Sequence, residues 1–182
     1  MGGNEERTLG IDPGTVHTGW GIIELQGGSL LHVAHGTIGS AANQGQGARL
    51  SRIYHGLQEV LLRYRPKTIS LEKVFFARNA QSVLKLGQAR GVAVLAAAEN
   101  SIDLQEYSPV VIKQAVVGYG HASKLQVQKM VGSLLHLSNP IPTDAADALA
   151  AAICYLHQRS FQSRVAAAAS PRRQEGRRWS SR

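Results

Sequence analysis

Three short apolar runs separated by tight turns open the chain. Arg7 to Ile11 reads as a strand. Asp12-Pro-Gly-Thr-Val-His-Thr-Gly19 reads as a turn, because Pro and Gly both favour one. Trp20 to Leu25 predicts a second strand, Gly27-Gly28 a hairpin turn, and Leu30 to Ile38 a third strand of β-rich composition. Residues 39–47 are small and polar, hence a loop. The period then changes: Leu50, Ile53, Tyr54, Leu57, Val60, Leu61 and Tyr64 recur at spacings of three and four, one apolar face of a helix over 48–65 that Pro66 stops. A short buried strand over 68–72 follows, then a long helix from about Ala80 to Glu99 and a strand from Leu104 to Tyr107. Pro109 suits the first turn of a helix reaching Val117, and Gly118-Tyr-Gly120 breaks it. Ser123 to Leu135 is helical, 139–142 is a proline-rich connector, and Thr143 to about Gln158 is the last helix. Three strands in a row, then alternating helix and strand, predict an α/β fold: a mixed sheet flanked by helices. No internal repeat is visible.

Composition narrows the class. A chain of 182 residues with 43% hydrophobic residues fits one globular domain. No apolar run approaches the roughly 20 residues that span a bilayer. Met1 to Arg7 lacks the basic-then-apolar order of a signal peptide. The single cysteine, Cys154, permits no intrachain disulfide and reads as a small buried hydrophobe. Cytoplasmic residence is the expectation. The net charge of +8 is uneven: residues 163–182 hold six Arg against one Glu, whereas 1–162 hold 14 Lys and Arg against 11 Asp and Glu. The expected division is a folded unit over 1–162 and a basic, disordered tail over 163–182. The cationic surface suits phosphate contacts.

Four carboxylates carry the candidate chemistry. Asp12 ends the first apolar run and Glu72 ends another, Thr-Ile-Ser-Leu-Glu72. If those strands lie side by side and parallel, both side chains emerge at the same sheet edge, where α/β folds place ligand sites. Asp144 and Asp147, spaced i, i+3, project from one face of the last helix, and packing that helix across the edge would complete the cluster. Four close carboxylates repel; without cations some would take up protons. Two Mg²⁺ ions would remove the conflict, and paired ions about 4 Å apart are a known arrangement for phosphodiester hydrolysis. Plainer readings stay open for each acid alone: Asp12 as a turn residue, Asp144 as a helix-dipole partner, Asp147 as an exposed helix residue. Glu72, between Ile-Ser-Leu and Val-Phe-Phe, is expected to be partly buried and to need a cation or partner.

These motifs resemble those of the RuvC Holliday junction endonucleases, which have a ribonuclease-H-like fold, from about Thr8 to His157. The similar segments are Leu-Gly-Ile-Asp12-Pro-Gly-Thr, Leu-Glu72-Lys-Val-Phe75, the helix Ala80-Gln-Ser-Val-Leu-Lys-Leu-Gly-Gln-Ala-Arg-Gly91, the basic stretch Lys113 to Gln128, and Thr143-Asp-Ala-Ala-Asp-Ala-Leu-Ala150. The resemblance implies that Asp12, Glu72, Asp144 and Asp147 are catalytic and hold Mg²⁺, which Mn²⁺ can replace. It implies that Lys124 is catalytic and, with Lys113, contacts DNA phosphate. Phe75 would stack on opened bases at the crossover, with plain core packing the alternative. It further implies four-way junction DNA as substrate, paired nicks leaving 5′-phosphate and 3′-hydroxyl ends, a homodimer to reach both strands, and the branch-migration proteins RuvA and RuvB as partners. The helix around Gly87 to Ala98 has small residues that permit close approach of a second subunit or of the chain's own sheet. His17 stands near a position where the family often has a basic residue; it reads either as a DNA contact or as an ordinary turn residue. Three competing functions are a ribonuclease-H-like nuclease acting on other branched DNA or RNA, a junction-binding module that has lost catalysis, against which the presence of all four acids argues, and an actin-like ATPase, since Asp12-Pro-Gly-Thr also resembles a phosphate-binding hairpin. The ATPase reading lacks the second phosphate loop and second domain it requires.

Overall fold

The computed structural model describes residues 6–41, 43–73 and 80–169. The elements run β1 (Glu6–Asp12), β2 (His17–Gln26), β3 (Ser29–Gly39), α1 (Gln46–Tyr64), β4 (Thr68–Glu72), α2 (Ala80–Glu99), β5 (Asp103–Tyr107), α3 (Pro109–Val117), α4 (Lys124–Leu134) and α5 (Thr143–Ala169). The strands form one sheet in the order β3-β2-β1-β4-β5, with β1, β2 and β3 antiparallel and β4 and β5 parallel to β1. This is the mixed sheet flanked by helices that the apolar pattern predicts.

Alternation along each strand divides two cores. Leu9, Ile11, Ile22, Ile69 and Leu71 face one layer and bury against Ile53, Leu57 and Leu61 of α1 and Ala89, Ala93 and Ala96 of α2. The other face carries Ile23 and is covered by α5, against which α3 and α4 pack in turn. Asp12 and Glu72 share the α5 side: they follow Thr8 and Gly10, and Thr68 and Ser70, by steps of two.

The seat of α5 is unusually close because glycines line it. A Cβ on Gly10 would lie 1.8 Å from the carbonyl oxygen of Ala148, and one on Gly19 1.9 Å from that of Asp144. Gly10 pairs with Gly21, and Gly19 with Asp12, across β1 and β2. The helix backbone therefore rests on the strand backbone, a contact no other residue type allows. Two hydroxyls fasten it laterally to β4: Ser70 Oγ donates to the Ala151 carbonyl at 2.7 Å, and Thr68 Oγ1 donates to the Tyr155 hydroxyl at 3.1 Å.

Two boundaries differ from expectation. β2 starts at His17 rather than Trp20. The turn after Asp12 is shorter than its Gly and Pro content implies, because buried Thr18 donates its hydroxyl to the Gly14 carbonyl at 2.7 Å and closes it early. The last helix does not stop near Gln158, and the segment expected to be disordered from 163 is helical to Ala169. Its side chains from Phe161 onward are exposed. The run Val165-Ala-Ala-Ala-Ala169 has no apolar period, yet alanine has the highest intrinsic helix propensity and the preceding helix supplies the nucleus. Residues 170–182 lie outside the described residues. Among the described residues no helix is long and apolar enough to cross a membrane.

Candidate active site

β1 and β4 are adjacent and parallel, with Ile11 opposite Leu71, so Asp12 and Glu72 stand next to each other at the carboxyl ends of neighbouring strands. Their approach follows from the sequence: each ends an apolar run that prefers the sheet centre, and each run stops at the same sheet edge. Asp144 and Asp147 reach the edge from the first turns of α5. The helix start is held by Pro142, whose carbonyl accepts the Ala146 amide at 2.9 Å. Ala145, Ala146, Ala148 and Leu149 are all buried, so Asp147 belongs to a packed face and is not a free helix residue.

The electrostatics show how strongly the acids sense one another. Burial raises the Asp12 carboxyl from 3.8 to about 7, helped by the charges of Asp147, Glu72 and Asp144, while Lys124 opposes the rise. Glu72 is also raised, first by burial and then by Asp147, with Lys124 and Lys113 pulling it down. At neutral pH an acid cluster of this kind is short of positive charge.

Two lysines partly supply it. Lys124 is the first residue of α4, whose start is set by a capping box: the Ser123 side chain accepts from the Gln126 amide and the Gln126 side chain accepts from the Ser123 amide. Its Nζ lies 3.0 Å from Asp147 Oδ2, and its side chain remains 76% exposed. This pairing raises the lysine's pKa. Lys113, on α3, joins Glu72, Lys124 and Asp147 around a cavity of about 260 Å³ whose apolar wall includes Ile112 and Val127. The cavity is a slot lined by two acids and two ammonium groups.

An all-oxygen donor set suits hard divalent cations, and a carboxyl raised to about 7, first by burial and then by three neighbouring acids, belongs to a site that added positive charge would relieve. Among the described residues, however, no group of three or more His, Cys, Asp or Glu side chains is gathered tightly enough to hold an ion as it stands. The residues fit the cation in charge and chemistry, with their oxygens still to be drawn together.

His17, the first residue of β2, is exposed and lies beside Gly39 of β3, so it is a strand-end residue. Phe75 lies outside the described residues. Cys154 is fully buried and its thiol is pushed up to about 12, which keeps it protonated and inert. Reading the sequence passed over Gly10, Gly19, Thr18 and Ser70, which hold the acids in place. Gly10 and Ser70 each precede a strand acid by two residues and so share its face; that spacing was the available signal.

Residues 8–155 match the family model described as Crossover junction endodeoxyribonuclease RuvC. A protein of that description from Geobacter metallireducens is 50% identical over 157 residues, covering 86% of this chain and 96% of the relative. Thermus thermophilus RuvC, solved in complex with a Holliday junction substrate, superposes with a TM-score of 0.82 at 32% identity, covering 87% of this chain and 97% of that one. The yeast mitochondrial Holliday junction resolvase Ydc2, at 13% identity and a TM-score of 0.65, shares the fold.

Proposed function

Since the chain belongs to the RuvC family of crossover junction endodeoxyribonucleases, we propose that its acid cluster is the catalytic centre at which Holliday junctions are cut. The chain is a junction-resolving endonuclease of recombination and repair. The observation that carries the assignment is the convergence of Asp12, Glu72, Asp144 and Asp147 into one electrostatic field at the end of two parallel strands.

In this reading the four carboxylates hold two Mg²⁺ ions, replaceable by Mn²⁺. When bound, such ions supply an activated water and neutralise charge on the phosphodiester. The chain's own residues supply the rest. Asp12, the most buried of the strand acids, gives the site a fixed centre. Glu72 and Asp147 face the slot from β4 and α5. Lys124 sits at the solvent side of the slot, so its ammonium can turn from Asp147 to a phosphate oxygen and stabilise charge as the 3′ oxygen leaves. Lys113 adds a second cation to the lining of the slot. Hydrolysis with this polarity yields 5′-phosphate and 3′-hydroxyl ends.

A junction has two strands to cut, and one slot reaches one of them. A homodimer answers this. On α2, Leu84 and Leu95 are 65% and 50% exposed, and Gly87 and Gly91 between them face open space at spacings of three and four. That stripe of apolar and small residues suits close packing against its own copy. Branch-migration proteins of the RuvA and RuvB type are the further partners in this reading.

The test is cleavage of a synthetic four-way junction with and without Mg²⁺, beside flaps and RNA–DNA hybrids. Paired symmetric nicks in the junction alone are expected, and Asp12→Asn should abolish cutting while junction binding persists. Preferential cutting of flaps or hybrids would move the chain to another nuclease specificity.

A further inference from the structure

The longest acid-free stretch of the described chain lies beside the slot. Between Glu106 and Asp144 there is no Asp or Glu, while Lys113, Lys124, Lys129, His121 and His136 all fall there. Part of this stretch forms a groove of about 670 Å³ between α4 and the connector that returns from it to α5. The groove begins next to Lys124, and its connector wall ends at Ile141, just before the acids of α5. Lys129 and Ser133 of α4 and His136 just past its end line it at spacings of four and three, and all three are exposed. Ser138 and Asn139 line the facing wall.

The groove is preformed. Gln128 Nε2 donates to the Ile141 carbonyl at 2.6 Å and ties helix to connector. The Leu137 amide donates to the Gly132 carbonyl at 2.9 Å and closes the helix end. His136 is held at φ 52, a left-handed conformation that costs a non-glycine residue energy and turns the chain back at this point. From Lys124 to Leu134 the helical rise covers about 15 Å, the axial length of about four nucleotides of one DNA strand.

We infer that this groove is a phosphate track, which takes the backbone of the DNA strand leading away from the cut through Lys129, His136 and the hydroxyl and amide donors between them. It rests on the catalytic reading above only in using the same DNA. Its contribution is to hold and orient the strand, so Lys129 acts in binding and takes no part in the chemistry.

The experiment is junction binding by the full chain without divalent cations, titrated across a series of salt concentrations, followed by single-turnover cleavage at saturating enzyme. Lys129→Ala should weaken binding about five-fold and flatten the slope of log affinity against log salt by about 0.9, the increment for one phosphate contact. Lys129→Glu should weaken it further, and Lys129→Arg should restore both quantities. Cleavage of bound junction and the melting temperature should stay at wild-type values in all three. Lys67→Ala, at the opposite end of the sheet, should change nothing. Unaltered affinity and salt slope in Lys129→Ala and Lys129→Glu would overturn the track while leaving the catalytic assignment standing. A slower single-turnover rate with unchanged binding would overturn it too, by placing Lys129 in the chemistry. A wild-type chain that does not bind junctions would remove both readings.

Discussion

Asp12 shows what the site costs the fold. Its carboxyl titrates near 3.8 when unfolded and near 7 in the folded chain. Below about pH 4 both states are protonated and there is no penalty. Between 4 and 7 the folded state keeps its proton while the unfolded state loses it, so stability falls as pH rises. Above 7 the penalty is complete, with an upper bound of about 4 kcal/mol. Asp12→Asn should therefore raise the urea midpoint of the metal-free protein at pH 8, leave it nearly unchanged at pH 3.5, and abolish cleavage. Added Mg²⁺ should stabilise the wild-type chain at pH 8 more than this variant; equal gains would detach Asp12 from the ion site. Asp12 and Glu72 could be picked from the sequence because each ends an apolar run. The Lys124–Asp147 ion pair could not, since it depends on how α4 packs against α5.

At the scale of elements, the decisive contact is the seat of α5 on β1 and β2. Gly10→Ala would drive a methyl group into the Ala148 carbonyl, which must move by more than an ångström. A loss above about 3 kcal/mol is expected, read by chemical denaturation. Gly91→Ala, on the open face of α2, should cost nothing measurable or add slightly to stability in the monomer. Strand and helix types follow from period alone. The strand boundary at His17 and the extension of α5 to Ala169 do not, because one depends on the Thr18 hydroxyl closing a turn and the other on alanine propensity without burial. The glycines had no reading in isolation. Their meaning appears once Gly10 pairs with Gly21 and both meet the helix.

For the whole molecule, assembly and charge distribution are the testable matters. Leu84→Glu with Leu95→Glu should dissociate the proposed dimer, seen by sedimentation, and convert paired cuts into single nicks at reduced rate. Removing residues 170–182 takes away five Arg and one Glu, so non-specific DNA affinity should fall and its salt dependence flatten; an unchanged slope would show that this segment is a bystander. The overall arrangement was legible because two parallel strands ending in acids and a helix starting with acids have few ways to meet. The phosphate groove was not legible, since its walls come from a helix face and a connector whose separation is a matter of three dimensions.

With no side chains between α5 and the strands beneath it at Gly10 and Gly19, rotamer motion has nothing there to work on. Asp144 and Asp147 should accordingly inherit the stiffness of the β-sheet itself, while Lys124 on its solvent-facing helix end remains loose. Such a pairing of a rigid anvil with a mobile cation would let ligand positions stay constant through successive turnovers as the DNA comes and goes.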